Sequence, residues 1–62
     1  MHAQAEKVVA ELFAFLMAEP ALMPEDHQAQ IPTEGLARTV ADYIAGMTDG
    51  YIVQLWQRCG GG

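Results

Sequence analysis

Basic side chains are scarce in this chain of 62 residues. Lysine and arginine together number 3, against 8 aspartates and glutamates, and the net charge at pH 7 is −5. Binding of nucleic acid requires clustered basic side chains that displace counterions from the phosphates. An anionic membrane surface attracts the same basic groups. We therefore expect neither nucleic acid nor a membrane among the partners of this chain.

Cysteine and histidine are also scarce. Cys59 is the only cysteine, so no internal disulfide can form, and His2 and His27 lie far apart in the sequence. A zinc site takes three or four converging side chains, and no such cluster occurs. Cys59 has no neighbouring histidine that could activate it as a nucleophile. We expect two solvated histidines, no metal site and no catalytic residue in this chain.

Long apolar runs are missing as well. A membrane-spanning helix needs roughly 18 consecutive apolar residues, and no run approaches that length. The first residues do not show a basic region followed by an apolar core, which a signal peptide would have. A cytoplasmic location is the expectation.

What the sequence does contain is helical periodicity in two segments. The first segment predicts a helix over residues 3–19, because apolar residues recur at three- and four-residue steps. The recurring positions are Val8 or Val9, Leu12, Phe13, Leu16 and Met17. Pro20 ends the helix, since the residue before a proline is pushed out of the helical region.

Three prolines in residues 20–33 predict an irregular connection. Pro24, followed by two acidic residues, could open one short helical turn. Leu22, Met23 and Ile31 are expected to pack onto the neighbouring helices.

The second periodic segment predicts one helix over residues 34–58, with Thr33 as its N-cap. Gly50 is its weak point, because Asp-Gly pairs also favour turns. Glycines 60–62 are expected to fray as a tail. Residues 1–62 would then form a single small helical domain.

The predicted fold is all-α: a two-helix antiparallel hairpin with a proline-rich connection. Two helices bury little apolar surface, so we expect the hairpin to dimerise into a four-helix arrangement. The last turns of the second helix carry apolar residues on more than one side, which predicts an interaction surface. Its members are Tyr51, Ile52, Leu55 and Trp56.

Residues 38–51 read RTVADYIAGMTDGY. This stretch resembles the C-terminal signature of the HD-domain deoxynucleoside triphosphate triphosphohydrolases, the dGTPase-like proteins, which has the form R-x-V-x-D-Y-I-A-G-M-T-D-R-Y-A. The segment from Lys7 to Pro24 is similar to the helix and loop that precede the signature in that family. Gly50 departs from the pattern, because it stands where the family carries an arginine, and the tail after Tyr51 differs too.

The resemblance implies a parent reaction, in which dGTP is hydrolysed to deoxyguanosine and triphosphate. It also implies a divalent metal held by an H…HD…D set of ligands upstream of the signature, with no counterpart in this chain. Asp26-His27 has the reverse order and does not replace the HD pair. Asp42, Tyr43 and Asp49 would lie near a site in the complete enzyme, with Asp42 and Asp49 sharing one helix face. The alternative is that the motif serves helix packing.

Two functions remain open at this point. The chain is either a C-terminal helical piece of a dGTPase-like hydrolase, without activity of its own, or a small helical module for self-association or protein interaction. The expected partner is accordingly a second copy or a larger hydrolase subunit. The sequence leaves open whether the chain takes part in an enzymatic reaction.

Overall fold

A computed structural model describes the backbone of residues 2–61 and the side chains of residues 6–61. The prediction of an all-α protein is confirmed, because no strand occurs within these residues. In chain order, the elements are α1 (His2–Ala18), a 3-10 turn (Pro20–Leu22), α2 (Glu25–Gln28), α3 (Ile31–Glu34), α4 (Leu36–Ala45) and α5 (Asp49–Arg58).

Helix α1 begins and ends within one residue of its predicted bounds, because Pro20 limits it as expected. Its periodicity left open whether Val8 or Val9 faces the interior. Val8 is buried, whereas Val9 is 39% exposed. Leu12 and Leu16 are fully buried one turn apart, so the predicted face of α1 forms one side of the core.

The connection between the long segments is more helical than predicted. The expected turn after Pro24 is confirmed as α2, whose first turn holds Glu25 and Asp26 next to the positive end of the helix dipole. Met23 is buried and Ile31 packs against the core, as predicted. The prediction for Leu22 was wrong, since its side chain is 46% exposed.

The predicted N-cap at Thr33 was also wrong. Thr33 lies inside α3, and α4 begins after Gly35, which has φ 89° and ψ 153°. The Gly35 carbonyl accepts hydrogen bonds from the backbone N–H of Thr39 (3.0 Å) and from the Thr39 hydroxyl (2.8 Å). These bonds satisfy the buried Thr39 hydroxyl and tie α4 to the residue before it.

The second long helix is broken, which corrects the prediction of one helix over residues 34–58. Helix α4 ends at Ala45, and α5 begins after Thr48, whose hydroxyl accepts a hydrogen bond from the Tyr51 N–H at 3.3 Å. Gly46 is a poor helix former and Thr48 is a good N-cap. The break therefore comes before Gly50, which lies in the first turn of α5.

The predicted fraying of the glycine tail is wrong for Gly60 and Gly61. Gly60 has φ 100° and donates to the Gln57 carbonyl at 3.1 Å, and Gly61 donates to the Trp56 carbonyl at 2.9 Å. This pair of bonds is the Schellman motif, in which a left-handed glycine satisfies the last carbonyls of a helix. Gly62 lies outside the described residues.

The core lies between α1 on one side and both α4 and α5 on the other. Its buried apolar members are Leu12, Leu16, Met23, Val40, Ile44 and Leu55. Because the second segment is two helices, α1 packs against two separate elements and the predicted simple hairpin is replaced. Dimerisation into four helices stays a prediction.

None of the helices among the described residues combines the length and the hydropathy that crossing a lipid bilayer requires.

Candidate functional site

The signature residues begin on α4 with an ion pair on the surface. The Arg38 Nε atom lies 3.4 Å from Asp42 Oδ2, four residues further along the helix, and both side chains are at least half exposed. Such exposed pairs stabilise a helix by about 0.3–0.5 kcal/mol. Asp42 is therefore accessible from solvent, with its charge partly balanced by Arg38.

Asp42 and Asp49 do not share one helix face, which corrects the expectation from their spacing. The break after Ala45 places Asp42 on α4 and Asp49 in the first turn of α5. Both carboxylates are exposed. Asp49 lies where a negative charge stabilises the N-terminus of α5, so its position has a local structural reason.

Tyr43 contacts a residue that the sequence did not single out. Its ring centroid lies 4.8 Å from that of His27 on α2, with the ring planes tilted by 55°. His27 is therefore only partly exposed, which corrects the expectation of a solvated histidine. Its Nδ1 atom lies 3.4 Å from Asp26 Oδ1 and makes no hydrogen bond to any described residue, while the same oxygen accepts from the backbone N–H of His27.

The environment of Tyr43 favours its neutral form. Burial, followed by the neighbouring Tyr51 phenol and the Asp26 carboxylate, raises the pKa of Tyr43 from 10.0 to about 12. The phenol consequently stays protonated to a higher pH than a free tyrosine and keeps a hydrogen that it can donate.

Stability is expected to fall as the pH rises from about 10 to about 12. Below pH 10 Tyr43 is protonated in both states, whereas between the two pKa values only the unfolded chain loses the proton. We expect the free energy of unfolding to fall by about 1 kcal/mol. This is less than a shift of two pKa units would give, because the ring is partly exposed. Urea unfolding at pH 9 and pH 12 measures it.

Tyr43→Phe should remove this part of the pH dependence. Tyr51→Phe should reduce it only in part, because burial is the first cause of the raised pKa. An unchanged alkaline slope in Tyr43→Phe would contradict the assignment.

The four residues predicted as an interaction surface divide between surface and core. Tyr51 is 40% exposed, and Ile52 and Trp56 are partly buried. Leu55 is a core residue, which corrects its assignment to a surface. Leu55 is covered by residues of the same chain, because α1 packs against α5.

Trp56 connects the last helix, α5, to the first helix, α1. Its indole N–H donates to Glu11 Oε1 on α1 at 2.9 Å. Glu11 Oε2 lies 4.0 Å from the Lys7 Nζ atom. The sequence did not single out Glu11, and nothing local could have done so, because its partner lies in the last helix. Trp56 is thus engaged within the chain through its indole N–H.

The divalent metal that the resemblance implies does not fit the described residues. No three His, Cys, Asp or Glu side chains converge within residues 6–61, the part of the chain whose side chains the structure describes. A site with one or two ligands would bind a divalent cation weakly.

A comparison with protein families decides what the signature over residues 38–51 belongs to. The model of the phosphohydrolase-associated domain matches residues 1–58. The chain belongs to this domain family. The match extends over α1 and all the elements that pack on it, so the phosphohydrolase-associated domain is the whole helical unit rather than the signature alone.

Curated relatives of this phosphohydrolase-associated domain confirm the resemblance found in residues 38–51. A deoxyguanosinetriphosphate triphosphohydrolase-like protein of Azorhizobium caulinodans is 57% identical over 49 residues, which are 77% of this chain and 12% of the relative. A protein of the same description from Bordetella pertussis is 40% identical over 58 residues, or 94% of this chain and 15% of the relative.

A third relative, the triphosphohydrolase-like protein 1 of Deinococcus radiodurans, is 41% identical over 51 residues, or 82% of this chain and 14% of the relative. The chain thus spans only 12–15% of the length of these relatives. No solved structure matches the chain.

Proposed function

We propose that this chain acts as the C-terminal helical module of a dGTPase-like triphosphohydrolase and contributes packing surface rather than catalytic groups. The observation that carries the proposal is the match of the phosphohydrolase-associated domain to residues 1–58, together with relatives named triphosphohydrolase-like. The reaction of the complete protein would be hydrolysis of dGTP to deoxyguanosine and triphosphate.

The chemistry of the described residues supports a role without catalysis. Hydrolysis of a phosphate ester with metal assistance needs a coordinated cation that activates water or stabilises the developing charge. Among the described side chains, those of residues 6–61, no group of three suitable ligands converges. The metal ligands of the proposed enzyme would therefore belong to the part of the relatives that this chain does not span.

The signature residues have two separate roles in this proposal. Tyr43 is held against His27 and the core, which supports a role in packing. Asp42 and Asp49 are exposed carboxylates on neighbouring helices and remain free to meet another part of a complete enzyme. Of the three, Asp42 and Asp49 are the ones that we propose to lie near its site.

The test uses the chain alone and a chimera. The purified chain, incubated with dGTP and Mg²⁺ or Mn²⁺, should release no triphosphate. In the chimera, the segment of this chain that matches the Bordetella pertussis relative over 58 residues replaces the corresponding segment of that relative. We expect the chimera to fold and to release triphosphate from dGTP at a rate within about tenfold of the relative, since the two segments are 40% identical (about 1.4 kcal/mol for tenfold).

Each result of this test has a defined meaning. Triphosphate release by the chain alone would contradict the absence of catalytic groups. An insoluble or inactive chimera would contradict the proposed role as a hydrolase module. In that case the alternative, a module that associates with a second copy of itself, would be favoured if sedimentation equilibrium shows a dimer.

A further inference from the structure

Helix α1 carries a shallow, open apolar surface that no other described element lines. Its lining residues are Glu6, Val9, Ala10 and Phe13. We call this surface the α1 groove, and its volume is ≈ 620 Å³. Val9 is 39% exposed there, although its neighbour Val8 is buried in the chain. All the lining residues belong to α1, and among them Phe13 also packs against the core, so it forms the edge of the α1 groove next to the rest of the chain.

We propose that this module docks through the α1 groove on the remainder of a triphosphohydrolase-like chain, which we call the hydrolase body. This proposal rests on the function proposed above. The body would present an apolar side chain to Val9 and Phe13, and a lysine or arginine to Glu6 at the rim. The length of the relatives supports this occupant, because this chain spans only 12–15% of them.

The small size of the α1 groove favours a tethered partner over an independent one. Its four lining residues lie on two turns of one helix, about 10 Å long. An interface between separate proteins usually takes about 20–30 residues from each side. A partner in the same polypeptide needs far less contact, because the connection raises its effective concentration to the millimolar range or above.

Charge argues against a second copy as the occupant. Each copy carries a net charge of −5, and pairing through the α1 groove would bring the Glu6 carboxylates of both copies to one interface. Like charges at an interface oppose association. This chain has only 3 lysines and arginines. A hydrolase body can instead supply the basic side chain that pairs with Glu6.

The experiment compares two valines of equal exposure in the chimera described above. Val9→Glu places a charge in the α1 groove, whereas Val53→Glu places one on α5, where Val53 is 40% exposed and does not line the groove. Each new glutamate lies three or four residues after an existing acidic residue, Glu6 or Asp49, so the local helix effects are matched.

We expect Val9→Glu to lower the thermal midpoint of the chimera by at least about 2 °C and its activity at least about tenfold, while Val53→Glu changes neither appreciably. In the isolated chain the two variants should unfold at similar temperatures, because the α1 groove is uncovered there. An active chimera in which both variants behave alike would overturn the docking surface and leave the proposed function intact.

Two further outcomes also decide the proposal. A chimera that fails without any substitution overturns the proposed function, and the docking surface with it. If sedimentation equilibrium shows that the isolated chain is a dimer, and Val9→Glu but not Val53→Glu dissociates it, the occupant is a second copy and the docking proposal is wrong.

Discussion

Leu12→Ala is expected to remove most of the stability of this chain. Leu12 is fully buried at the centre of the core between α1 and the helices α4 and α5. Truncating a buried leucine costs about 2–5 kcal/mol, because apolar contact is lost and a cavity remains. A domain of 62 residues has a total stability of only about 3–9 kcal/mol. Urea unfolding followed by circular dichroism measures the loss.

Leu22→Ala is the matched control for this prediction. It removes the same atoms from a side chain that is 46% exposed in the 3-10 turn. Surface substitutions usually change stability by less than about 0.5 kcal/mol. Equal losses in Leu12→Ala and Leu22→Ala would show that the core is not where the structure places it.

Gly35→Ala is expected to destabilise the chain by about 1–3 kcal/mol, because its backbone conformation is one that only glycine adopts readily. Gly35 has φ 89° and ψ 153° at the junction of α3 and α4. An added Cβ would meet no atom within 4 Å. The expected loss therefore comes from the backbone and not from a clash. Urea unfolding of the variant measures it.

Two controls separate backbone conformation from other effects at Gly35. Gly50→Ala also places a Cβ in open space, but in a helical position, where alanine is favoured by up to about 1 kcal/mol. It should be neutral or stabilising. D-alanine at position 35, introduced by chemical synthesis, should recover much of the loss, because D-residues favour positive φ. A destabilised D-alanine chain would contradict the conformational explanation.

The junctions around α4 explain why this helix holds its position. Gly35 connects it to α3 through a hydrogen bond from its own N–H to the Ile31 carbonyl at 2.8 Å. At the C-terminal end of α4, a short break follows, and it ends at Thr48, the N-cap of α5. Between these two residues, Val40 and Ile44 are buried against the core. The signature segment is thus fixed from both ends and from one face.

The candidate site could be predicted from the sequence only in part. The signature from Arg38 to Tyr51 pointed to the family, because a specific run of residue types is visible without a structure. The contact of Tyr43 with His27 was not predictable, since the two residues are brought together by the packing of α2 on α4. The bond between Trp56 and Glu11 was not predictable for the same reason, since donor and acceptor lie 45 positions apart in the sequence.

Local chemistry in the sequence by itself determined the all-α class, the end of α1 before Pro20 and the short helix after Pro24, because periodicity and proline act within one or two turns. Only the tertiary structure decided that Val8 turns inward and Val9 outward, and that Leu55 belongs to the core. Adjacent apolar residues have nearly equal intrinsic preferences for burial. The choice between them depends on where a distant helix packs, which no local pattern specifies.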